Sequence, residues 1–173
     1  MDTENISKSL TVVQMLPALS SGGVERGTID LSKYLVENGH RSIVIAKPGA
    51  MADQLLSSGG ELVPWPVGHK SLSTLRFVTK VRSLLLNENV DILHLRSRLP
   101  AWIGYLAWKF INPDVRPRLV TTVHGPYSVN RYSAVMTKGE RVIAVSDMIK
   151  QYVLSNYPRV DPAQLSVIQG CIP

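Results

Sequence analysis

Gly22 and Gly23 stand where an apolar run, Leu10 to Leu16, gives way to an amphipathic segment that ends at Asn38-Gly39. A double glycine at such a junction lets backbone amides come close to a ligand, and a helix beginning there turns its positive end toward the same place. The chemistry this suits is anion binding. Spacing narrows the choice, because Gly22, Gly23 and Gly27 read G-G-x-x-x-G rather than the dinucleotide pattern G-x-G-x-x-G, and no Gly-Lys-Ser/Thr follows to make a P-loop. Glu25 falls in the first helical turn, where the dipole favours a carboxylate whether or not it touches a ligand.

Further candidates follow later apolar runs. Arg96 and Arg98 come just after Asp91–Leu95, and in an extended chain residues two apart project to one side, forming a paired cationic grip for phosphate or carboxylate. His124 lies between Thr121-Thr122-Val123 and Gly125-Pro126, where a strand ends and the backbone bends, and is the best catalytic candidate. His94, between Leu93 and Leu95, reads instead as a core histidine satisfied by a backbone partner. Ser146 precedes Asp147-Met148-Ile149 as a helix N-cap would, and any ligand contact there is additional. No Ser-His-Asp order or carboxylate pair assembles around His124, and the histidines lack metal-ligand spacing, which argues against hydrolase chemistry.

The elements that must hold these residues alternate. Strand-like runs occur at Leu10–Leu16, Ser42–Ala46, Glu61–Trp65, Asp91–Leu95, Arg118–Val123, Arg141–Val145 and Leu165–Ile168. Helix-period stripes lie between them: Val24, Thr28, Leu31 and Leu35; Leu75, Val78, Val81, Arg82 and Leu85; Trp102, Leu106 and Phe110. Gly125 to Lys138 is the least regular stretch and reads as a loop or a short helix. The alternation predicts an α/β, Rossmann-like fold with a mainly parallel sheet and helices on both faces. Ligands of such sheets sit beyond the carboxyl ends of the strands, which is where the glycines, the arginines and His124 fall.

With 173 residues, 45% of them hydrophobic, the chain reads as one domain. Its 19 Lys and Arg against 13 Asp and Glu give +6, but no block of like charge appears, so a nucleic-acid partner is not indicated. Anionic small molecules or an acidic membrane surface fit better. The single cysteine, Cys171, rules out an internal disulfide framework and suggests a reducing compartment. The polar start, Met1 to Ser9, has no secretory signature, and Trp102 to Ile111 is too short to span a bilayer, so a cytoplasmic protein is expected. Core packing is the favoured role for the Leu99–Ile111 segment, while Trp102, Tyr105 and Trp108 would also suit peripheral contact with an anionic membrane.

Four motifs, G-G-V-E at Gly22–Glu25, D-I-L-H at Asp91–His94, T-x-H-G at Thr122–Gly125 and A-V-S at Ala144–Ser146, together resemble the family-four, retaining glycosyltransferases of the GT-B fold. The run Leu95–Trp102 resembles the R-S-R-x-P-A-W stretch of bacterial members that build lipopolysaccharide core or other surface glycans. The resemblance implies an acceptor-side domain over residues 1–168, one half of a GT-B fold. Residues 169–173, Gln169-Gly170-Cys171-Ile172-Pro173, look like the start of an interdomain segment usually written N-G-I/V-D, and the donor-binding domain is absent. It implies that Gly22 and Gly23 approach the donor diphosphate and that His124 touches the transferred sugar. Glu25, Arg96 and Arg98 would position a glycan or glycolipid acceptor, one bearing phosphate or an acidic sugar. The nucleotide sugar is a substrate, no metal or cofactor is expected, and a lipid-linked acceptor would place the work at the inner face of the plasma membrane. Two other readings remain: a non-catalytic binding or regulatory domain of the same fold, and a nucleotide-binding oxidoreductase.

Overall fold

The structure is a computed structural model that describes residues 8–169. Residues 1–7 and 170–173 lie outside it, and with them Cys171 and all of the expected linker except Gln169. The strands are β1 (Thr11–Ala18), β2 (Arg41–Lys47), β3 (Glu61–Val63), β4 (Ile92–Leu95), β5 (Arg118–Val123), β6 (Arg141–Ala144) and β7 (Leu165–Val167). They form one parallel sheet in the order β3-β2-β1-β4-β5-β6-β7. The helices are α1 (Gly23–Glu37), α2 (Ala52–Ser57), α3 (Arg76–Asn87), α4 (Arg98–Lys109) and α5 (Asp147–Asn156). This is the Rossmann-like α/β fold that the alternating pattern predicts.

The order in which strands are added reverses after β3, with β4 pairing on the other side of β1, and the chain crosses to the other face of the sheet as right-handed connections require. Ile29 of α1 and Leu55 of α2 pack with Leu16, Val44 and Ala46 on one face. On the other, Phe77, Val81 and Leu85 of α3, Ile103 and Ala107 of α4, and Ile149 and Val153 of α5 join Val13, Met15, Leu93, Leu95 and Val142 in the larger core. Beyond β1 the α1 side is open: Val120, Ile143 and Val145 stay half-exposed and Ile168 is exposed.

Local differences from the sequence reading have physical causes. β3 stops at Val63, two residues short of Trp65, because Pro64 and Pro66 carry no N–H for a ladder. A 3₁₀ turn at Leu72–Leu75 precedes α3 and rotates its stripe, so Phe77, Val81 and Leu85 are buried while Leu75 and Arg82 are exposed. On α4 the buried stripe is Ala101, Gly104, Ala107 and Trp108 with Ile103, not Trp102, Leu106 and Phe110. Small residues let this helix lie close to the sheet: a Cβ on Gly104 would meet Leu95 Cδ2 at 2.5 Å. The irregular stretch contains one 3₁₀ turn, Ser133–Thr137. Among the described residues no helix is long and apolar enough to cross a membrane.

Candidate functional site

Register carries the polar candidates to one end of the sheet. Met15 pairs with Leu95, and His94 with Val120, so Arg96 continues opposite Thr122 and His124 follows at the next position on the same face. α1 starts beside them. Gly23, Gly27 and Asp30 of that helix, with His94, Arg96, Thr122 and His124, line a cavity of about 350 Å³. Its floor is apolar, from Leu31, Ile143, Val145 and Ile168. Gly23, Arg96 and His124 are thus brought together as the sequence suggests.

Arg96 is only 7% exposed. Its Nη1 donates to Gln14 Oε1 at 3.0 Å, and Gln14 Nε2 donates in turn to the Thr28 carbonyl at 3.0 Å. Its Nε is buried without a partner, and no carboxylate pairs with it among the described residues. Burial brings its pKa down to about 10, which leaves the guanidinium charged at neutral pH. A buried cation with no counter-charge is costly unless something outside the fold compensates it. Gly27 is what lets it sit there, since a Cβ at that position would lie 2.9 Å from Arg96 Nη2.

His124 Nε2 is also buried and unpartnered. Burial first, and the Arg96 charge second, hold its pKa down at about 4, so the ring is neutral at pH 7. A neutral imidazole offers a hydrogen bond without adding charge. The same causes, with His124 as a third, push the fully buried His94 well below its ordinary value. Its Nε2 bonds to Thr122 Oγ1 at 2.7 Å, so its partner is a side-chain hydroxyl and not the backbone acceptor expected.

Arg96 and Arg98 do not form a paired grip. The chain leaves its extended path at Ser97, the residue before α4, and Arg98 becomes the first helical residue, which turns its side chain elsewhere. Its guanidinium lies between the rings of Tyr127 and Tyr132, 4.9 and 5.4 Å from their centroids, and it does not line the cavity. Glu25 bends back over the start of α1, where a Cβ on Gly22 would meet Glu25 Oε2 at 2.7 Å. Gly22 is extended and leaves the helix without a side-chain cap, so the first amides of α1 have no acceptor from that residue. Ser146 caps α5, accepting from the Ile149 N–H at 3.3 Å, and is not itself part of the cavity lining, although the preceding Val145 is. Gln14 was legible only as a polar interruption of an apolar strand. Asp30 gave no signal of its own.

Comparison with known proteins places this geometry in a family. Residues 21–173 match Glycosyltransferase Family 4, and the chain belongs to that family. A glycosyltransferase from Rickettsia africae ESF-5 is 36% identical, with a TM-score of 0.80 over 94% of this chain and 43% of that one. Anabaena HepE, solved with UDP and glucose, has a TM-score of 0.72 at 18% identity, over 94% of this chain and 45% of its own. UDP-GlcNAc 2-epimerase from Methanocaldococcus jannaschii has 0.65 at 10% identity, over 93% and 45% respectively. The last two likenesses concern the fold alone. This chain spans less than half the length of each of these structures. No curated protein matches it significantly.

Proposed function

We propose that the chain is the acceptor-side half of a retaining, nucleotide-sugar-dependent glycosyltransferase that works in bacterial surface-glycan or lipopolysaccharide synthesis. The observation that carries this reading is the buried, uncompensated Arg96 beside a neutral His124 and the open start of α1. Gly22, Gly23 and the α1 dipole face the donor diphosphate and stabilise the departing nucleotide. His124 hydrogen-bonds the transferred sugar, Arg96 neutralises an anionic group of the substrate, and Glu25 helps to place the acceptor. Hexosyl transfer on the leaving-group face asks for no metal. HepE, solved with UDP and glucose, makes UDP-hexoses the first donors to try. The chain alone transfers nothing, because a second domain carries the main donor surface.

Contact with an anionic membrane is part of the proposal, through a different face from the one the sequence suggested. Trp108 of α4 is 8% exposed, and Trp102 and Tyr105 pack against the larger core. Between Glu61 and Glu88 the sequence has no acid but carries Lys70, Arg76, Lys80 and Arg82, and Leu72 in that stretch is 86% exposed. Sedimentation with vesicles rich in phosphatidylglycerol at low salt should pellet the chain, and no pelleting rejects the contact.

The decisive test supplies a donor-binding half in cis and screens nucleotide sugars for turnover. His124→Ala is expected to lower turnover by about 10²-fold, the scale of losing one preorganised transition-state contact. Full activity in that variant removes His124 from the site. Absence of turnover with every donor would favour the non-catalytic binding domain.

A further inference from the structure

The stretch from His124 to Tyr132 has little backbone order of its own. One backbone bond lies within it, from the Tyr127 N–H to the Gly125 carbonyl at 3.0 Å, and a second ties it to the following turn, from the Ala134 N–H to the Asn130 carbonyl at 3.1 Å; side chains supply its other contacts. The Tyr127 hydroxyl accepts the His124 N–H at 3.3 Å, and the Tyr152 hydroxyl donates to the Tyr127 carbonyl. Two residues one turn apart on α4 reach across to the same stretch. Trp102 Nε1 donates to the Tyr132 carbonyl at 2.9 Å, and Arg98 lies between the rings of Tyr127 and Tyr132 while its Nη1 meets Ser133 Oγ at 3.4 Å.

We propose that Arg98 is a positioning residue: with Tyr127 as the link, it fixes the backbone at His124 and so keeps that ring in the cavity beside Arg96. The chain of contacts is short. The guanidinium stacks on the Tyr127 ring, the Tyr127 hydroxyl holds the His124 amide, and the His124 ring lines the cavity. A planar cation stacks on two rings at once, whereas an ammonium is a compact point charge on a flexible stem, so lysine would replace only part of the contact. α4 is a suitable anchor because its other face is locked into the core through Ala101, Gly104 and Ala107. The inference rests on the reading of His124 as a site residue, but its test needs no turnover.

Amide exchange and histidine NMR on the 173-residue chain provide the test. Arg98→Ala should speed exchange of the His124 amide by about tenfold or more while the Val13 and Met15 amides in β1 keep their rates, as local opening requires. The His124 ring, released from burial and from the Arg96 charge, should titrate well above its value of about 4 in the intact chain. Arg98→Lys should recover part of both effects. An unchanged His124 amide and an unchanged titration in Arg98→Ala, while Tyr127→Phe accelerates the amide, overturn the proposal. Should Arg98→Ala loosen β1 as well, Tyr127→Phe keeps the ring under Arg98 and removes only the hydroxyl that holds the His124 amide, and an unaltered His124 amide there overturns the proposal equally. These readings stand whether or not a completed enzyme shows turnover, so the two ideas fail separately.

Discussion

The two ends of the sheet treat charge in opposite ways. At the amino ends of the strands, cations find carboxylates within the fold: Arg41 with Glu61 and Glu88, each at 2.6 Å, Lys8 with Asp91 at 2.8 Å, and Arg118 with Glu140 at 3.1 Å. These partners raise the pKa of Arg41 and lower those of Glu61 and Asp91, as mutual hydrogen bonding does. At the carboxyl ends Arg96 is buried with an amide for company and Arg98 lies on aromatic rings. One end is electrostatically closed, while the other leaves a cation without a carboxylate and a neutral imidazole whose Nε2 has no partner.

The largest effect should come from substituting Arg96. In an enzyme completed with a donor-binding half, Arg96→Met is expected to cost about 10²-fold or more in turnover. Stability should move the other way or not at all, because methionine keeps much of the length and removes a desolvated charge that has no carboxylate. Calorimetry on the same variant separates the roles. A melting temperature that falls by many degrees with turnover intact would make Arg96 structural, and the contrast between the ends would disappear.

Acid should weaken the carboxyl end next. His124 and His94 are held neutral in the folded chain, but in the unfolded chain both take up protons as the pH drops below about 6.5. Stability from these groups is therefore complete above that pH and drains away as the pH falls through it, for His124 down to about 4. For His124 alone the loss is on the order of 3 kcal/mol, because burial and the Arg96 charge hold its pKa in the folded chain at about 4. Urea titrations at pH 7, 5.5 and 4.5 on the chain and on His124→Phe should show a shallower decline in the variant. Equal slopes would mean that the ring is already solvated. Smaller again is the cap of α5: Ser146→Ala should cost about 1 kcal/mol through the lost Ile149 bond and leave turnover unchanged.

Much of this arrangement is legible in residue order, for a reason visible at β4 and β5. A parallel strand buried on both faces must be apolar nearly throughout, so Ile92–Leu95 and Arg118–Val123 announce themselves, and whatever follows lands at the carboxyl edge. That places Arg96 and His124 correctly. It cannot place Arg98, because the residue where an extended chain becomes a helix decides which way the next side chain turns, and a spacing of two presumes no such change. α2 was missed because six residues give too short a period to read. Gln14 and Gly27 matter through contacts with Arg96, which lies 82 residues from Gln14 along the chain, and no local pattern encodes those.

The amino end offers the smallest effect and the sharpest control. Arg41 bridges the first residue of β3 to the residue after α3, so Arg41→Met breaks two ion pairs at once. All three side chains are 39 to 49% exposed, however, and water already solvates much of what the pairs supply. The expected loss is below about 1 kcal/mol, and it should shrink further in high salt because exposed pairs are screened. Turnover should not change, since nothing at that end faces the cavity. A salt-insensitive loss several times larger would mean that the amino end is as desolvated as the carboxyl end. The distinction between a closed edge and a waiting one would then rest on the presence of carboxylates alone, not on how far water reaches each charge.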